Sequence, residues 1–280
     1  MVATMTLPPM PLPRAASSRL ITAPERPAIV EESVARSVLA AALRRCDRAG
    51  LRLVVTAPAE VHTFSAGIRR FPERLIEPTA HARYDRAYRN FNRGVGRGHD
   101  PASWRLLMFD ARSQVVGAIT ARFFCGEVGL EYVHALSLLA GYPPSFRNEC
   151  HEAVTEAFAR TQRHARTPAE ISDWSVRGPH ARLVLATLIR AMLALGVAFE
   201  LPLVLVAANH ERGELAHFIR WPASPLGRQD KFYLPPFVHR ASGARLRLLL
   251  LDSSALGGRL CGAAVDLGVL RECCPIISAQ

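Results

Sequence analysis

A carboxylate and an arginine stand close together in one short stretch of the chain, "AEISDWSVRGPH" at residues 169–180. Residues 169–176 are mostly apolar or small and predict a buried strand. Side chains alternate between the faces of a strand, so Glu170, Ser172 and Trp174 are expected on one face and Ile171 and Asp173 on the other. A buried carboxylate is costly unless it faces a cleft or has a partner. Glu170 is therefore a candidate general base, and an ion pair with a nearby arginine is the alternative.

A positively charged helix start follows this strand. If Pro179 takes the first helical position, its missing N–H costs nothing, because that group has no partner within a helix. The next backbone N–H groups then point out of the helix end and favour an anion. The sequence predicts a phosphate site here, and an ordinary capped helix with surface arginines is the alternative. The residues of this expected site are Val176, Arg177, Gly178, His180, Ala181 and Arg182.

The hydrophobic pattern predicts the elements that position these residues. We expect Thr79 and Ser145 to cap two helices and Gly196 to stop another. Helices are expected over residues 31–48, from 79 onward, and over 145–164, 179–195 and 211–219. Strands are expected over 51–55, 169–176 and 201–209, and β-hairpins over 104–124 and over 231–252, the second with its turn at 241–244. The two hairpins and the central strand–helix–strand crossover predict an α/β fold, with a mixed and mostly antiparallel sheet and helices on both faces.

The chain is expected to contain one main domain. Residues 1–30 are rich in proline and predict a disordered leader. Residues 31–252 would form the domain, with a helical insert at about 125–168 that is suited to specificity for an acceptor or an acyl chain. Residues 253–280 show no clear period and are expected to form a tail.

Charge and composition narrow the classes of partner. The formal net charge is +11, and Lys231 is the only lysine among the 35 basic residues. Acidic partners are expected, such as phosphates, coenzyme A or an acidic carrier protein, whereas dispersed arginines argue against nucleic acid. The six cysteines lack metal-ligand spacing, so no metal is expected. Apolar runs shorter than the roughly 20 residues of a membrane span predict a soluble, cytoplasmic protein.

Four residues of "EISDWSV", Glu170, Ile171, Ser172 and Val176, resemble a known strand motif. The motif is Glu-(Leu/Ile)-Ser-Arg-(Phe/Leu)-x-Val, found in acyl-homoserine-lactone synthases and N-acyl amino acid synthases. These enzymes are a branch of the GNAT superfamily of acyltransferases. Asp173 stands where the motif has arginine. The resemblance covers roughly residues 80–252 and implies a GNAT-like fold.

Other parts of the chain resemble the same superfamily. Arg177 fits the first position of its (Arg/Gln)-x-x-Gly-x-(Gly/Ala) pyrophosphate turn, but His180 and Arg182 occupy the glycine positions. In "VLVAANHERGELAHFIRW", Asn209 matches an asparagine after the second core strand, and His217 lies near the position of a tyrosine that protonates the leaving thiolate. Two arginines resemble, more loosely, motif arginines of the lactone synthases. They are Arg89 in "AYRNFN" and Arg122 in "VVGAITARFF".

The resemblance implies acyl transfer from a thioester to the amine of a small acceptor such as an amino acid. The donor would be acyl-CoA or an acyl-phosphopantetheine on an acyl carrier protein. Glu170 would be the base, a backbone N–H near Trp174–Val176 would hold the oxyanion, and His217 would be the acid. The residues that would bind the acceptor are Arg89, Arg122, Glu131, His134 and Ser172, with buried or surface polar roles as the alternative for Glu131 and His134.

Two further functions stay open at this point. One is an acetyl-CoA-dependent N-acetyltransferase. The other is a GNAT-like protein that binds or regulates without catalysis, which the replaced glycines favour. The retained Glu170 favours the two enzymatic functions.

Overall fold

The structure of the chain is a computed structural model that describes residues 37–57, 78–91, 103–124, 142–163, 168–199, 203–209, 223–224, 237–238, 243, 245–252, 258–274 and 276–277. The expected leader over 1–30, the short helix over 211–219 and much of the insert lie outside these residues.

Helices and strands alternate irregularly along the described chain. The helices are α1 (Val38–Arg48), α2 (Pro78–Phe91), α3 (Pro144–Arg163), α4 (Ala181–Ala198) and α5 (Gly258–Cys273). The strands are β1 (Arg52–Thr56), β2 (Trp104–Phe109), β3 (Val115–Phe123), β4 (Ala169–Val176), β5 (Leu203–Asn209), β6 (Ala223–Ser224), β7 (Phe237–Val238), β8 (Arg245–Asp252) and β9 (Ile276–Ile277).

The described strands form one sheet in the order β6-β8-β5-β4-β3-β2-β1-β9, and β7 pairs with β8. Neighbouring strands are antiparallel except for β4 with β5 and β1 with β9, which are parallel. The parallel β4–β5 pair is joined by α4, as a crossover requires. The expected mixed, mostly antiparallel sheet is confirmed, and so are both expected hairpins, β2–β3 and β7–β8.

The two faces of the sheet bury different helices. The larger core packs α1, α4 and α5 against one face, where Leu53, Leu106 and Ile119 alternate with residues that point to the other face. On the other face α2 contributes Tyr88 and Phe91 to a smaller core. Helices therefore lie on both faces of the sheet, as the sequence predicts.

Helix α4 is the centre of the larger core. Its 18 residues are apolar enough by length and composition to span a membrane, and no other described helix is. Most of this helix is nevertheless buried within the protein, including Val184, Leu188 and Leu195. It approaches β3 so closely that a Cβ on Gly117 would lie 2.4 Å from Val184 Cγ1. The apolar sequence of α4 is therefore explained by its place in the core.

The end of the chain is part of the fold, although its sequence shows no period. Helix α5 packs against α1 and α4, and β9 extends the sheet beside β1. The buried Asp266 of α5 accepts hydrogen bonds from Ser37 Oγ at 2.6 Å and from the Leu39 backbone N–H at 3.0 Å. Ser37 Oγ in turn accepts from the Ala40 N–H. Asp266 thus helps to cap α1 from a distant part of the chain.

Several expected helix ends are wrong by a few residues. Helices α2 and α3 begin at a proline one residue before Thr79 and Ser145, so these two residues are not caps. A proline without an N–H suits the first helical position, and it sets both starts. Gly196 lies inside α4, which continues to Ala198, and so does not stop it. Buried packing outweighs the low helix propensity of this glycine.

Candidate functional site

A β-bulge interrupts β4 in the middle of the quoted stretch. Ala118 of β3 pairs with Ser175, and Thr120 pairs with Ser172, so two residues of β4 oppose the single residue between them. The extra residue reverses the alternation of side chains. Trp174 therefore packs against the larger core with Ile171 instead of sharing a face with Glu170. The expectation that these two side chains lie together is wrong.

The strands β4 and β5 separate one residue beyond Glu170, after Ile171. Their parallel pairing consists of Ala169 with Val204, Glu170 with Leu205 and Ile171 with Val206. Past this point β4 keeps pairing with β3 as far as residue 176, and β5 keeps pairing with β8 as far as residue 209. Residues 172–176 and 207–209 thus form a fork in the sheet, with backbone groups that lie outside the β4–β5 ladder.

Glu170 lies at the base of this fork and is only 3% exposed. Directly opposite it on β3 is the half-buried Arg122. Opposed residues of an antiparallel pair place their side chains side by side on one face, and opposite charges there are favourable. We call this the Glu170 face. Arg122 therefore stands at the position that an ion-pair partner of Glu170 would take, and the same residue was expected to bind the acceptor.

The Glu170 face carries a second, deeper group of polar residues that sequence analysis missed. Arg105 of β2 donates from Nη1 to Asp85 Oδ1 of α2 at 2.7 Å, and Arg89 Nη2 lies 2.8 Å from Asp85 Oδ2. The Arg105 guanidinium carbon also lies 4.5 Å from the centre of the Tyr88 ring. Tyr88 OH and Thr120 Oγ1 are 3.0 Å apart and share a hydrogen bond.

These contacts place charged groups between α2 and the sheet, and the strand pairing connects them to the fork. Arg105 pairs with Thr120 across β2 and β3, and Thr120 pairs with Ser172 across β3 and β4. One polar row therefore crosses three strands next to the Arg122–Glu170 pair. The signal in the sequence was an arginine inside the otherwise apolar strand "WRLLMF", because such a charge needs a buried partner.

Arg177 is fixed by three contacts in the turn that follows β4. Its backbone N–H donates to Val116 O at 2.8 Å, and its Nη2 donates to Phe91 O at 2.9 Å. Its guanidinium carbon stands 4.6 Å from the centre of the Phe91 ring. The residue therefore links the 177–180 turn to the last residue of α2.

Helix α4 begins two residues later than expected. His180 is its N-cap, so Pro179 precedes the helix and does not begin it. The Ala181 N–H bonds Gly178 O at 3.3 Å, and Gly178 adopts a positive φ of 86° that suits glycine. The Ala181 N–H is therefore already occupied. The helix itself provides no partner for the next N–H groups, those of Arg182 and residue 183, and the side chains of Arg182 and His180 are exposed.

No protein-family model and no curated protein matches this chain. The similar solved structures include N-acyl amino acid and acyl-homoserine lactone synthases. FeeM, an N-acyl amino acid synthase from uncultured soil microbes, is 13% identical over 73% of this chain and 92% of its own, with a TM-score of 0.40.

Two further structures carry the name of lactone synthase. BjaI, a CoA-dependent acyl-homoserine lactone synthase, is 13% identical over 82% of this chain and 93% of its own, with a TM-score of 0.41. LasI is 13% identical over 74% of this chain and 94% of its own, with a TM-score of 0.37.

The structure brings together part of the expected site. Glu170, Ser172 and Arg122 occupy neighbouring positions of β3 and β4. Arg89 lies on α2 above the same face, paired with Asp85. Asn209 is the last residue of β5, across from Leu246 of β8. Three expected residues lie outside the described part of the chain; they are Glu131, His134 and His217.

Proposed function

We propose that the protein is an acyltransferase that moves an acyl group from a thioester to the amine of a small acceptor such as an amino acid. The observation that carries this proposal is the fork between β4 and β5 with the buried Glu170 at its base. Backbone N–H and C=O groups at the edge of a strand need partners. The amide-bearing pantetheine arm of a thioester donor is a narrow chain that can supply them.

The reaction assigned to the site is one addition and one elimination. The acceptor amine attacks the thioester carbon and forms the C–N bond, and Glu170 takes a proton from the amine directly or through water. The tetrahedral intermediate carries an oxyanion, for which a backbone N–H at the bulge near Trp174–Val176 is the proposed donor. The C–S bond then breaks, and His217 is the proposed acid that protonates the leaving thiolate.

The start of α4 is the proposed site for the donor's phosphate. The first-turn N–H groups after Ala181 and the positive end of the helix dipole favour an anion there. The exposed side chains of Arg182 and His180 add charge at the same end. Val176 and Gly178 shape the turn that leads to it. The donor is proposed to be acyl-CoA or an acylated carrier protein, whose acidic surface would be attracted by the net charge of +11.

The acceptor is proposed to bind on the Glu170 face. Arg122 and Ser172 lie beside Glu170 there, and α2 covers the neighbouring strands with Arg89 on its last turn. Glu131 and His134 remain proposed contributors from the insert. A cytoplasmic location fits the use of CoA or carrier-protein thioesters.

One observation favours a non-catalytic alternative. His180 and Arg182 stand where the superfamily's pyrophosphate turn has glycines, and their side chains narrow the room for a backbone that wraps around a pyrophosphate. A simple acetyl-CoA-dependent acetyltransferase is the other alternative, and it differs only in the donor.

A donor screen tests the proposal. The melting temperature of the purified protein is measured with coenzyme A, acetyl-CoA, a long-chain acyl-CoA or an acylated carrier protein. In a separate assay, the native protein is incubated with each donor and a mixture of amino acids. We expect a donor-dependent rise in melting temperature and an N-acyl product detected by mass spectrometry. A thermal shift without product supports the non-catalytic alternative. The absence of both contradicts the proposal.

A further inference from the structure

The guanidinium of Arg177, an exposed residue, holds two parts of the protein together. The guanidinium donates from Nη2 to Phe91 O at 2.9 Å while its carbon lies 4.6 Å from the centre of the Phe91 ring. A planar guanidinium can stack and donate at once, whereas a lysine ammonium keeps the charge but not this combination. The backbone N–H of Arg177 is also fixed, by Val116 O of β3.

The partner of Arg177 is the end of α2. Phe91 is the last residue of that helix and is buried in the smaller core. The last carbonyls of a helix lack intrahelical donors and carry partial negative charge. An arginine at this end can donate a hydrogen bond to a carbonyl and place a positive charge beside it. Arg177 therefore acts as a C-terminal cap for α2 that is supplied from the turn after β4.

Helix α2 in turn holds the polar residues of the Glu170 face. Its Asp85 bonds Arg105, and its Tyr88 bonds Thr120, which pairs with Ser172 beside the fork. A displacement of the end of α2 would therefore be transmitted to the face on which the acceptor is proposed to bind.

We infer that Arg177 is a positioning residue that couples the 177–180 turn to α2, and that it is not a ligand of the donor's phosphate. This inference rests on the proposed function for its kinetic consequence. Its structural part, the link between the turn and the helix, stands independently of any donor. It also revises the sequence-based assignment of Arg177 to the phosphate site, which Arg182 retains.

The kinetic test compares Arg177→Lys and Arg177→Ala with Arg182→Ala as the matched control. Donor affinity is measured by calorimetry with coenzyme A, and kcat and KM are measured for both substrates with the donor that is active. Both Arg177 variants should keep the donor Kd within about twofold. The acceptor KM should rise and kcat should fall, so that kcat/KM for the acceptor falls by roughly tenfold. Arg182→Ala should instead raise the donor Kd and leave the acceptor KM unchanged.

A phosphate ligand predicts a different pattern. Arg177→Ala would weaken the donor as Arg182→Ala does, and Arg177→Lys would restore most of the affinity because a lysine still presents a positive charge. That result would overturn the inference.

A second measurement needs no donor. Hydrogen exchange of the unliganded protein should speed up in Arg177→Lys both at the last turn of α2 and at the turn before α4, while α5 stays unchanged. Phe91→Leu, which removes the ring, should speed exchange at the same two places. Unchanged exchange at the end of α2 would refute the link. If the wild type binds no donor while the exchange result holds, the proposed function fails and the link survives.

Discussion

Arg122 of β3 lies directly opposite Glu170 of β4, and Glu170 is almost fully buried. A neighbouring arginine lowers the cost of burying an ionised carboxylate. The ionised form is also the one that can accept a proton from an amine. The register therefore places beside Glu170 an arginine that is compatible with both proposed roles, the ion pair and the general base, because an adjacent positive charge favours an ionised carboxylate.

The Asp85–Arg105 pair should be important for stability. Asp85→Ala removes the carboxylate that faces two arginines and leaves the buried Arg105 without this partner, so we expect a loss of about 3–5 kcal/mol in the free energy of unfolding. Urea unfolding measures it. Arg89→Ala is the matched control, because its exposed arginine contacts the same carboxylate and should cost at most about 1 kcal/mol. Equal losses in the two variants would contradict the buried pair.

The C-terminal helix should be required for folding. Asp266 caps α1 through Ser37 and Leu39, so Asp266→Ala should lower the free energy of unfolding by about 1–3 kcal/mol. A chain that ends at residue 252 also loses the buried Leu270 and should be insoluble or unfolded by circular dichroism. A soluble, cooperatively folded truncation would show that α5 is a separable tail.

The buried thiol at the end of α5 should be protected and should make stability depend on pH. Burial raises the pKa of Cys274 from its ordinary 9.0 to about 12, with smaller contributions from Cys273 and Cys46. At pH 8 the exposed Cys273 should react with N-ethylmaleimide in the native protein, and Cys274 should not. Peptide mass spectrometry distinguishes the two sites.

The direction of the pH effect follows from the same pKa. The folded protein holds the Cys274 proton more tightly than the unfolded chain, so this stabilisation is complete below about pH 9 and is lost as the pH rises toward 12. Between pH 8 and pH 10.5, the free energy of unfolding should fall more for the wild type than for Cys274→Ala. An identical fall would contradict the assignment.

The sequence predicted most of the described helices and strands between residues 38 and 252, because their apolar residues follow regular periods, but it did not predict the two-residue β6. It could not predict the bulge in β4, since that bulge is defined by the pairing with β3 and moves Trp174 to the other face. It also missed α5, whose inner side includes the small Ala263 and the charged Asp266, so that no apolar stripe marks it. Arg177 was assigned from a motif position, and only its contacts with Phe91 lead to the positioning role that we infer for it.

The central claim is that the buried Glu170 at the fork is the base of an acyl transfer, and Glu170→Gln tests it most directly. The variant keeps the shape and most hydrogen bonding but cannot accept the proton. With the donor that the wild type uses, we expect kcat to fall by about 10²–10⁴-fold while the donor Kd and the melting temperature stay close to those of the wild type. A fully active Glu170→Gln, or an activity that falls only in proportion to the folded fraction, would contradict the account.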